Sequence, residues 1–242
     1  MAGHNKWSQI KRKKAANDAQ RGKIISKHIR AIQSAIREGS SDDPSTNLSL
    51  KNALAAAKSD SVPSETIDRA IERATGGGEG ASYDAVTYEG YGPAGVAFVV
   101  EALTDNRNRT VSEVRHVFTK HGGNMSGGTA WQFESAGIIV LPTTSEKAQE
   151  MAIELGAQDL EIEDESLTIY TDPAELYAVV DGLQAAGFEA EMSQLTKLAQ
   201  TPSLLSAEDA AKVLRFTEAL EDLDDVQNVY STADLSKLEA VG

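Results

Sequence analysis

The chain has 242 residues, of which 40% are hydrophobic and 25% are charged, and its formal net charge at pH 7 is -14. This composition is typical of a globular protein that is long enough to bury a core without disulfides or a structural metal. The absence of cysteine excludes disulfide bonds, thiolate nucleophiles and Cys-ligated metal sites, and no apolar run reaches the ~18 residues that a membrane-spanning helix needs.

The first 30 residues do not contain the apolar region of a secretory signal peptide, because Lys and Arg interrupt them every few positions. A cysteine-free chain is also compatible with a reducing compartment. We therefore expect a cytoplasmic protein that has no membrane partner.

The charge is divided unevenly along the chain. Residues 1–73 contain 14 basic and 8 acidic side chains, whereas residues 74–242 contain 9 basic and 29 acidic ones. Salt screens exposed charges beyond ~8 Å, so the acidic part does not cancel a distant basic surface, although it repels a polyanion from the wrong side. The pattern predicts a polyanion-binding surface in the first third of the chain.

An amphipathic helix is predicted over residues 23–38, and Gly22 either breaks or bends its connection to an Ala-rich helical stretch upstream. The isoleucines that recur with helical spacing on one side are Ile25, Ile29, Ile32 and Ile36. The side chains that lie roughly opposite them are Lys23, Lys27, Arg30, Ser34 and Arg37. This helix therefore has one apolar side and one cationic side.

Two shorter helices are predicted after a turn-rich loop. Asn47 is a candidate N-cap for a helix that ends at Lys58, and Ser64 is a candidate N-cap for the next helix. Amphipathic helices with short connections predict a small bundle, which we place at residues 1–75. The glycine-rich stretch 76–82 predicts a linker; a phosphate-binding loop is the alternative, but no strand precedes it and no Gly-Lys-Ser/Thr follows.

An α/β pattern replaces the helical one after this linker. Strands are predicted over residues 85–91 and 95–104, on either side of a Gly-Pro turn. A helix is predicted over 110–121, and a glycine-rich loop then leads to a short strand at 130–133. From residue 137 to 200 the order is strand, helix, strand, strand, helix, strand, which is the ferredoxin-like order.

The remaining helix, over residues 207–220, and strand, over 226–231, could complete the sheet that begins at 85–104. The predicted fold is therefore α+β: an N-terminal helical bundle is followed by two α/β domains, and the ferredoxin-like one is inserted in the other. The domain boundaries that we expect are 1–75 for the bundle, 83–133 with 202–242 for the discontinuous middle domain, and 134–201 for the inserted domain.

Catalytic patterns are weak in this sequence. His116 and His121 are five residues apart, so they do not share a helix face as a metal-binding pair would, and no HExxH or GxSxG motif is present. The acidic clusters at 161–165 and 221–225 predict a solvated hairpin and a solvated helix end, because nothing pairs with them to separate their pKa values. We expect no enzyme activity, metal or cofactor, and keep an enzyme that acts on a phosphorylated metabolite as a third alternative.

Residues 1–37 contain ten Lys and Arg and one acid, Asp18. Basic side chains that neutralise phosphates release counterions and so give affinity that does not depend on nucleic-acid sequence. The alternatives are a solvated helix face for the cations and a core position for the tryptophan, which could otherwise stack on a base. The candidate nucleic-acid-binding residues, here called the N-terminal basic cluster, are Lys6, Trp7, Lys11, Arg12, Lys13, Lys14, Arg21, Lys23, Lys27, Arg30 and Arg37.

A second basic cluster follows the strand that ends near residue 104, in the sequence DNRNRT. Backbone amides at a helix N-terminus together with two arginines form a plausible phosphate or carboxylate site. The alternative is that Asn108 caps the helix and that the arginines pair with Asp105 and Glu113. The residues of this second polyanion contact are Asn106, Arg107, Asn108, Arg109 and Arg115.

Several long motifs, in order, resemble the YebC family: AGHNKW, IKRKKAANDAQRGKI, YEGYGPAGVAFVVEALTDNRNRT, VRHVFTKHGGN and EALEDLDDVQNVY. The resemblance implies the same three-domain arrangement and no catalytic activity. It implies DNA binding with transcriptional control in some members, and ribosome association with relief of stalled translation, notably at proline runs, in others, which include a mitochondrial translational activator of cytochrome c oxidase. The chain departs from the family at Asn5, where Ser is usual, and in a loop at 122–128 that is about two residues shorter.

The sequence thus predicts a nucleic-acid-binding regulator, with a DNA-binding transcriptional regulator as the first hypothesis. The alternative is a ribosome-associated translation factor that binds ribosomal RNA or tRNA. Gln33 is almost the only amide side chain on the cationic helix, which leaves little chemistry for reading base edges. Binding through shape and backbone, as for structured RNA, fits the residues at least as well. The oligomeric state is not predicted.

Overall fold

The structure, a computed structural model, describes residues 4–76, 83–163 and 165–235, with side chains described for residues 21–76, 83–162 and 165–235. It has an α+β fold in which three helices come first and four further helices then alternate with the strands of two antiparallel sheets and one short parallel pair. The helices are α1 (His4–Gly39), α2 (Leu48–Ser59), α3 (Ser64–Thr75), α4 (Arg107–Lys120), α5 (Glu146–Glu154), α6 (Leu176–Ala185) and α7 (Ala207–Glu221). The strands are β1 (Asp84–Tyr91), β2 (Ala97–Thr104), β3 (Phe133–Leu141), β4 (Asp159–Glu163), β5 (Ser166–Thr171), β6 (Met192–Ala199), β7 (Ser203–Leu204), β8 (Val226–Ser231) and β9 (Ala233–Asp234).

Helices α1, α2 and α3 pack around one apolar core. The predicted isoleucine stripe is confirmed, because Ile32 and Ile36 are buried in this core and Ile25 and Ile29 pack against it. Gly22 does not interrupt α1, which continues through it as one helix. The buried residues of the bundle core are Ile32, Ala35, Ile36, Leu50, Ala57, Val62, Ile67 and Ala70.

The two predicted N-caps of the bundle have different outcomes. Asn47 caps α2 as expected, since its Oδ1 accepts a hydrogen bond from the Leu50 amide at 3.0 Å. The prediction for Ser64 is wrong, because Ser64 is the first residue of α3 and Pro63 holds the cap position without a side-chain hydrogen bond. The carbonyl of Pro63 instead accepts from the Ile67 amide at 3.2 Å.

Strands β1, β2 and β8 form an antiparallel sheet in the order β1-β2-β8. The predicted return of the 226–231 strand to the sheet that begins near residue 85 is confirmed by its pairing with β2. Helices α4 and α7 contribute to the core of this sheet. Phe216 packs edge to face on Phe98 and Phe118, with ring centroids 4.8 and 4.9 Å apart, an arrangement that aromatic quadrupoles favour.

Helix α4 begins at Arg107, three residues earlier than its sequence pattern predicts. Asn106, rather than Asn108, is its N-cap: Asn106 has an extended backbone, and its Oδ1 accepts from the Arg109 amide at 3.1 Å. The Asn106 amide in turn donates to Thr104 Oγ1 at 2.9 Å. The cap lies at Asn106 because the strand ends two residues before it, which leaves no extended residue at Asn108.

The predicted strand at 130–133 is also wrong. Ala130–Gln132 form a single turn of 3-10 helix, and β3 begins at Phe133 rather than at Gly137. Gly127 and Gly128 immediately before this turn both have positive φ, of 73° and 71°, a conformation that glycine tolerates without a steric cost. These glycines lead into the 3-10 turn, and β3 follows that turn directly.

Strands β3 to β6 form a second antiparallel sheet in the order β4-β5-β3-β6, with α5 after β3 and α6 after β5. The predicted strand and helix order of this segment is confirmed, and it is that of the ferredoxin-like arrangement. A short parallel pair, β7 with β9, follows in the C-terminal part. The buried residues of the second sheet's core are Ile139, Leu141, Ala148, Ala152, Leu167, Ile169, Leu176, Val179 and Leu183.

Candidate nucleic-acid interface

Helix α1 carries every residue of the N-terminal basic cluster. Six of those side chains lie outside the described residues: Lys6, Trp7, Lys11, Arg12, Lys13 and Lys14. Of the others, Arg21 and Lys23 are exposed, whereas Lys27, Arg30 and Arg37 are half-buried. The half-buried ones lie on the part of α1 that meets the bundle core and the body of the molecule.

Lys23 and Lys27 contact the C-terminal end of α7. Lys23 Nζ donates to the carbonyl oxygen of Asp222 at 3.1 Å and lies 3.5 Å from its Oδ1. Lys27 Nζ donates to the carbonyl oxygen of Glu221 at 2.8 Å. The last carbonyls of a helix have no partner within the helix and carry the negative end of its dipole, so ammonium groups are suitable partners for them.

Arg30 continues this row one turn further along α1. Its Nη1 donates to the carbonyl oxygen of Asp224 and lies 3.3 Å from Asp225 Oδ1. Its guanidinium also lies 5.8 Å from the ring centroid of Tyr83, within the range of a cation–π contact. Arg30 thus joins α1 to the turn between α7 and β8.

Asp225 is a buried carboxylate, only 3% exposed, that joins the turn after α7 to α1, β2 and α4. Its Oδ2 accepts hydrogen bonds from Thr104 Oγ1 at 3.0 Å, from Thr110 Oγ1 at 2.7 Å and from Arg109 Nη2 at 2.6 Å. Burial raises the pKa of Asp225, but hydrogen bonds from Arg109, Thr110 and Thr104 outweigh it and hold the pKa below the usual 3.8. The prediction that residues 221–225 are a solvated helix end is therefore wrong for Asp225.

The second basic cluster consists of side chains with several different partners. Arg109 Nη2 also pairs with Asp105 Oδ1 at 2.8 Å, as the alternative interpretation of the sequence expected. Arg107 Nε pairs with Asp84 Oδ2 at 2.7 Å. Asn108 is exposed. The two arginines at the start of α4 therefore have carboxylate partners within the protein.

The structure brings one arginine from each predicted basic cluster to the same carboxylate. Arg30 and Arg109 both contact Asp225, one through Oδ1 and the other through Oδ2. By contrast, Arg21 and Arg115 are exposed and have no ion pair with any side chain in the described part of the chain. Exposure alone therefore does not identify the cations without a carboxylate partner, because Lys23, Arg107 and Arg109 are exposed as well and form ion pairs.

A shallow cleft of about 250 Å³ lies where α1 meets the turn after α7. It is lined by Gly22, Lys23, Ser26, Arg30 and Asp224. Ser26 Oγ donates to the Gly22 carbonyl at 3.0 Å. The junction between α1 and the body is therefore polar and reachable by solvent.

Trp131 is an exposed aromatic residue that the sequence patterns did not single out; its side chain is 72% exposed. Its turn is firmly held, because the amides of Thr129 and Ala130 both donate to Glu89 Oε2 at 2.7 Å and Thr129 Oγ1 donates to the Phe98 carbonyl at 2.8 Å. The sequence feature that could have indicated an exposed tryptophan here is its position after a glycine-rich loop and outside any apolar pattern.

Among the described residues, no group of three or more His, Cys, Asp or Glu side chains could hold a metal ion. In the same residues, no helix combines the length and apolar character that crossing a membrane requires.

Two family models match the chain. One, described as the TACO1/YebC protein N-terminal domain, matches residues 5–77, and the other, described as the TACO1/YebC second and third domain, matches residues 83–233. Together they extend over all the described helices and strands except His4, the first residue of α1, and Asp234, the last residue of β9.

Relatives match the chain over nearly its whole length. A protein of Deinococcus radiodurans is 58% identical and one of Thermus thermophilus is 56% identical, each over 242 residues and 99% of both chains; both are named probable transcriptional regulatory proteins. A crystal structure of a conserved hypothetical protein from Aquifex aeolicus superimposes with a TM-score of 0.80 at 46% identity, covering 90% of this chain and 91% of that one. These matches confirm the resemblance that the motifs indicate: the chain belongs to the TACO1/YebC family.

Proposed function

We propose that this protein is a DNA-binding regulator of transcription that works in the cytoplasm and binds nucleic acid through its N-terminal basic cluster. The observation that carries the proposal is the charge of α1: residues 1–37 hold ten Lys and Arg and one acid, in a chain whose net charge is -14. Nonspecific affinity for nucleic acid comes mainly from such phosphate-neutralising side chains. The names of the relatives from Deinococcus and Thermus support a regulatory role, and the proposal includes no catalytic step.

We assign the three largest apolar cores to three domains with the boundaries 1–75, 83–133 with 202–242, and 134–201. A fourth, smaller cluster joins Ala97, Val99 and Tyr230 of the first sheet to Phe133 at the start of β3. Each core supports this division, because its buried residues come from one of these sets alone. Interfaces between domains that do not share a core allow relative motion. The basic bundle is then a separate unit that can orient on a polyanion.

Within the N-terminal basic cluster we assign the first contact with phosphates to the residues that precede the engaged cations. Lys23, Lys27 and Arg30 have acceptors on α7 or Asp225, whereas Arg21 is exposed. In this assignment Trp7 stacks on an unpaired base. The residues assigned to the first contact are Lys6, Trp7, Lys11, Arg12, Lys13, Lys14 and Arg21.

A weaker second contact is assigned to the start of α4. Asn108 and Arg115 are exposed on this helix. The ion pair between Arg107 and Asp84 is also exposed at both ends, so it contributes little to stability and can exchange for a phosphate. Arg109 is excluded from this assignment because Asp225 holds it.

The second candidate function is a ribosome-associated translation factor that binds ribosomal RNA or tRNA. The observation that favours it is the side-chain chemistry of the 23–38 segment of α1, which carries Lys23, Lys27, Arg30 and Arg37 but only one amide side chain, Gln33. DNA readers commonly use amide and guanidinium pairs on base edges, whereas folded RNA is recognised through backbone and shape.

The deciding experiment measures equilibrium binding of the full chain to random duplex DNA, to duplexes selected from a random pool for tight binding, and to purified ribosomes, between 50 and 200 mM salt. If about six phosphates are contacted, the affinity falls about 10³-fold over this range. A DNA sequence bound much more tightly than random duplex supports transcriptional control. Tight ribosome binding with only nonspecific DNA binding supports the translation factor instead.

A matched pair of variants tests the assigned surface. Lys13→Gln with Lys14→Gln should lower the slope of log K against log salt by about two. Lys120→Gln with Lys147→Gln changes the net charge equally at exposed positions outside the clusters and should leave the slope nearly unchanged. Equal slopes for the two double variants would contradict the assignment.

A further inference from the structure

We propose that the contact between α1 and α7 is a closing device that a bound polyanion must open. This α1–α7 contact consists of Lys23, Lys27 and Arg30 on one side and residues 221–225 on the other. The inference rests on the proposed nucleic-acid binding and adds a conformational step to it. In the absence of nucleic acid the three cations are held by the protein itself, and on binding they pass from α7 to phosphates.

The cations of the α1–α7 contact lie in one register on α1. Lys23, Lys27 and Arg30 are spaced by four and three residues, so they form one row along α1. Arg21 precedes the row on the same helix but is two residues from Lys23, so it lies on a different side of α1. A nucleic-acid backbone that reaches Lys23, Lys27 and Arg30 therefore meets the end of α7, which contacts all three.

The segment of α7 that the nucleic-acid backbone would meet is acidic. The sequence EDLDD at 221–225 places four carboxylates and the negative end of the α7 dipole beside the row. Phosphates are repelled from this position while α7 remains there. Full use of the cationic row therefore requires α7 and α1 to separate.

Separation of α1 from α7 leaves the buried carboxylate of Asp225 hydrogen-bonded. Asp225 Oδ2 keeps its hydrogen bonds from Thr104, Thr110 and Arg109, so the loss of Arg30 from Oδ1 does not leave an uncompensated buried charge. Such a charge would otherwise oppose opening strongly. Arg109 is thus the permanent counter-ion, and Arg30 is the exchangeable one.

The junction between α1 and α7 is polar. No residue of the bundle core belongs to the apolar core between the first sheet and α7, and the polar cleft lies between the two sides. Opening here exposes mainly charged groups that water and phosphates solvate well. The Lys23–Asp222 ion pair is exposed, and ion pairs of this kind contribute little to stability and weaken as the salt concentration rises.

Binding and opening are then coupled, and the coupling is reciprocal. Weakening the α7 side of the contact should tighten polyanion binding without altering any cation. Asp222→Asn with Asp224→Asn should increase the affinity of the full chain for a 30-base-pair duplex DNA, and for a ribosomal RNA fragment of similar length, by at least about fivefold. The control, Glu150→Gln with Glu154→Gln, changes the net charge equally on exposed positions of α5 and should change the affinity by less than about twofold.

The separation itself can be measured by electron–electron distance spectroscopy, because the chain has no native cysteine to interfere with labelling. Ser49→Cys on α2 and Glu218→Cys on α7 are exposed positions on the two sides. The distance distribution should gain a longer population when saturating duplex DNA or RNA fragment is added. The Asp222→Asn, Asp224→Asn variant should already show part of this population without nucleic acid.

The outcomes separate this inference from the function on which it rests. Saturable binding with an unchanged distance distribution, or equal gains in affinity for both double variants, overturns the closing device and leaves the proposed function intact. Failure of the unlabelled full chain to bind either nucleic acid at 50 mM salt overturns the proposed function.

Discussion

At the residue scale, Asp225 is the point at which the two basic clusters meet. It accepts hydrogen bonds from two threonines and an arginine on one oxygen, and it lies beside Arg30 on the other. Its pKa is held low although it is buried, so it stays ionised and keeps Arg109 and Arg30 in place. The adjacent Asp224 is exposed, which makes the two aspartates a natural comparison.

Asp225→Asn should lower the free energy of unfolding by about 1–3 kcal/mol, because charge-assisted hydrogen bonds are lost and Arg109 keeps only its partly exposed partner Asp105. Asp224→Asn should change it by less than about 0.5 kcal/mol. Urea unfolding followed by circular dichroism measures both. Equal effects of the two substitutions would contradict the role assigned to Asp225.

The stabilising effect of Asp225 should also depend on pH. Because the pKa of Asp225 in the folded protein lies below 3.8, its carboxylate contributes stability above the unfolded value, and this contribution is lost as the pH falls through the folded value. The difference in unfolding free energy between the wild type and Asp225→Asn should therefore stay constant from pH 8 to about 5 and shrink below about 4. A difference that persists undiminished at the lowest pH at which the protein is folded would argue against this assignment.

At the element scale, the start of α4 shows how a strand end determines a helix cap. β2 ends at Thr104, whose hydroxyl accepts from the Asn106 amide. Asn106 is then the last extended residue, and its side chain caps the helix. Asn108 lies inside the first turn, where its side chain has no capping role.

Asn106→Ala should therefore cost about 1 kcal/mol of stability. The matched substitution Asn108→Ala, two residues away and also exposed, should be neutral or slightly stabilising because Ala is the better helix former. Thermal unfolding midpoints of the two variants measure this difference. A larger loss from Asn108→Ala would place the cap where the sequence pattern predicted it.

At the scale of the whole molecule, the bundle has an apolar core of its own, whereas the two sheets share a small apolar cluster of Ala97, Val99, Phe133 and Tyr230. The bundle core lies between α1, α2 and α3, and its contacts with the rest include Lys23 on Asp222 and Lys51 on Asp181, 3.9 Å apart. Ion pairs of this exposed kind contribute little stability. Cooperativity between the bundle and the two sheets should therefore be limited.

Leu50→Ala tests this independence, since Leu50 is fully buried in the bundle core. The substitution should destabilise the bundle by about 2–5 kcal/mol through lost contacts and a cavity. Hydrogen exchange should accelerate across α2 and α3 while β3, β5 and α6 keep their protection. The reciprocal variant Leu183→Ala, in the core of the second sheet, should show the opposite pattern, and uniform acceleration in both variants would refute the division into domains.

Much of this architecture is determined by local patterns in the sequence. The isoleucine period of α1, the cap at Asn47 and the order of strands and helices from 133 to 199 follow from side-chain spacing and turn chemistry, which act over a few residues. The errors at Ser64, Asn108 and 130–133 occur at element boundaries, where one neighbouring residue changes which group satisfies the backbone. The family follows from motifs that extend along the whole chain.

Only the tertiary structure decided which basic residues are engaged. Lys23, Lys27 and Arg30 have acceptors 194 to 199 residues away, and most of these acceptors are backbone carbonyls. A carbonyl at a helix end has no side-chain signature, and an aspartate at 225 looks solvated beside three other acids until the fold buries it between α1, β2 and α4. The sequence by itself therefore determined that α1 is cationic. Only the tertiary structure decided which cations of α1 already have acceptors within the protein, because long-range burial and backbone acceptors leave no local pattern in the sequence.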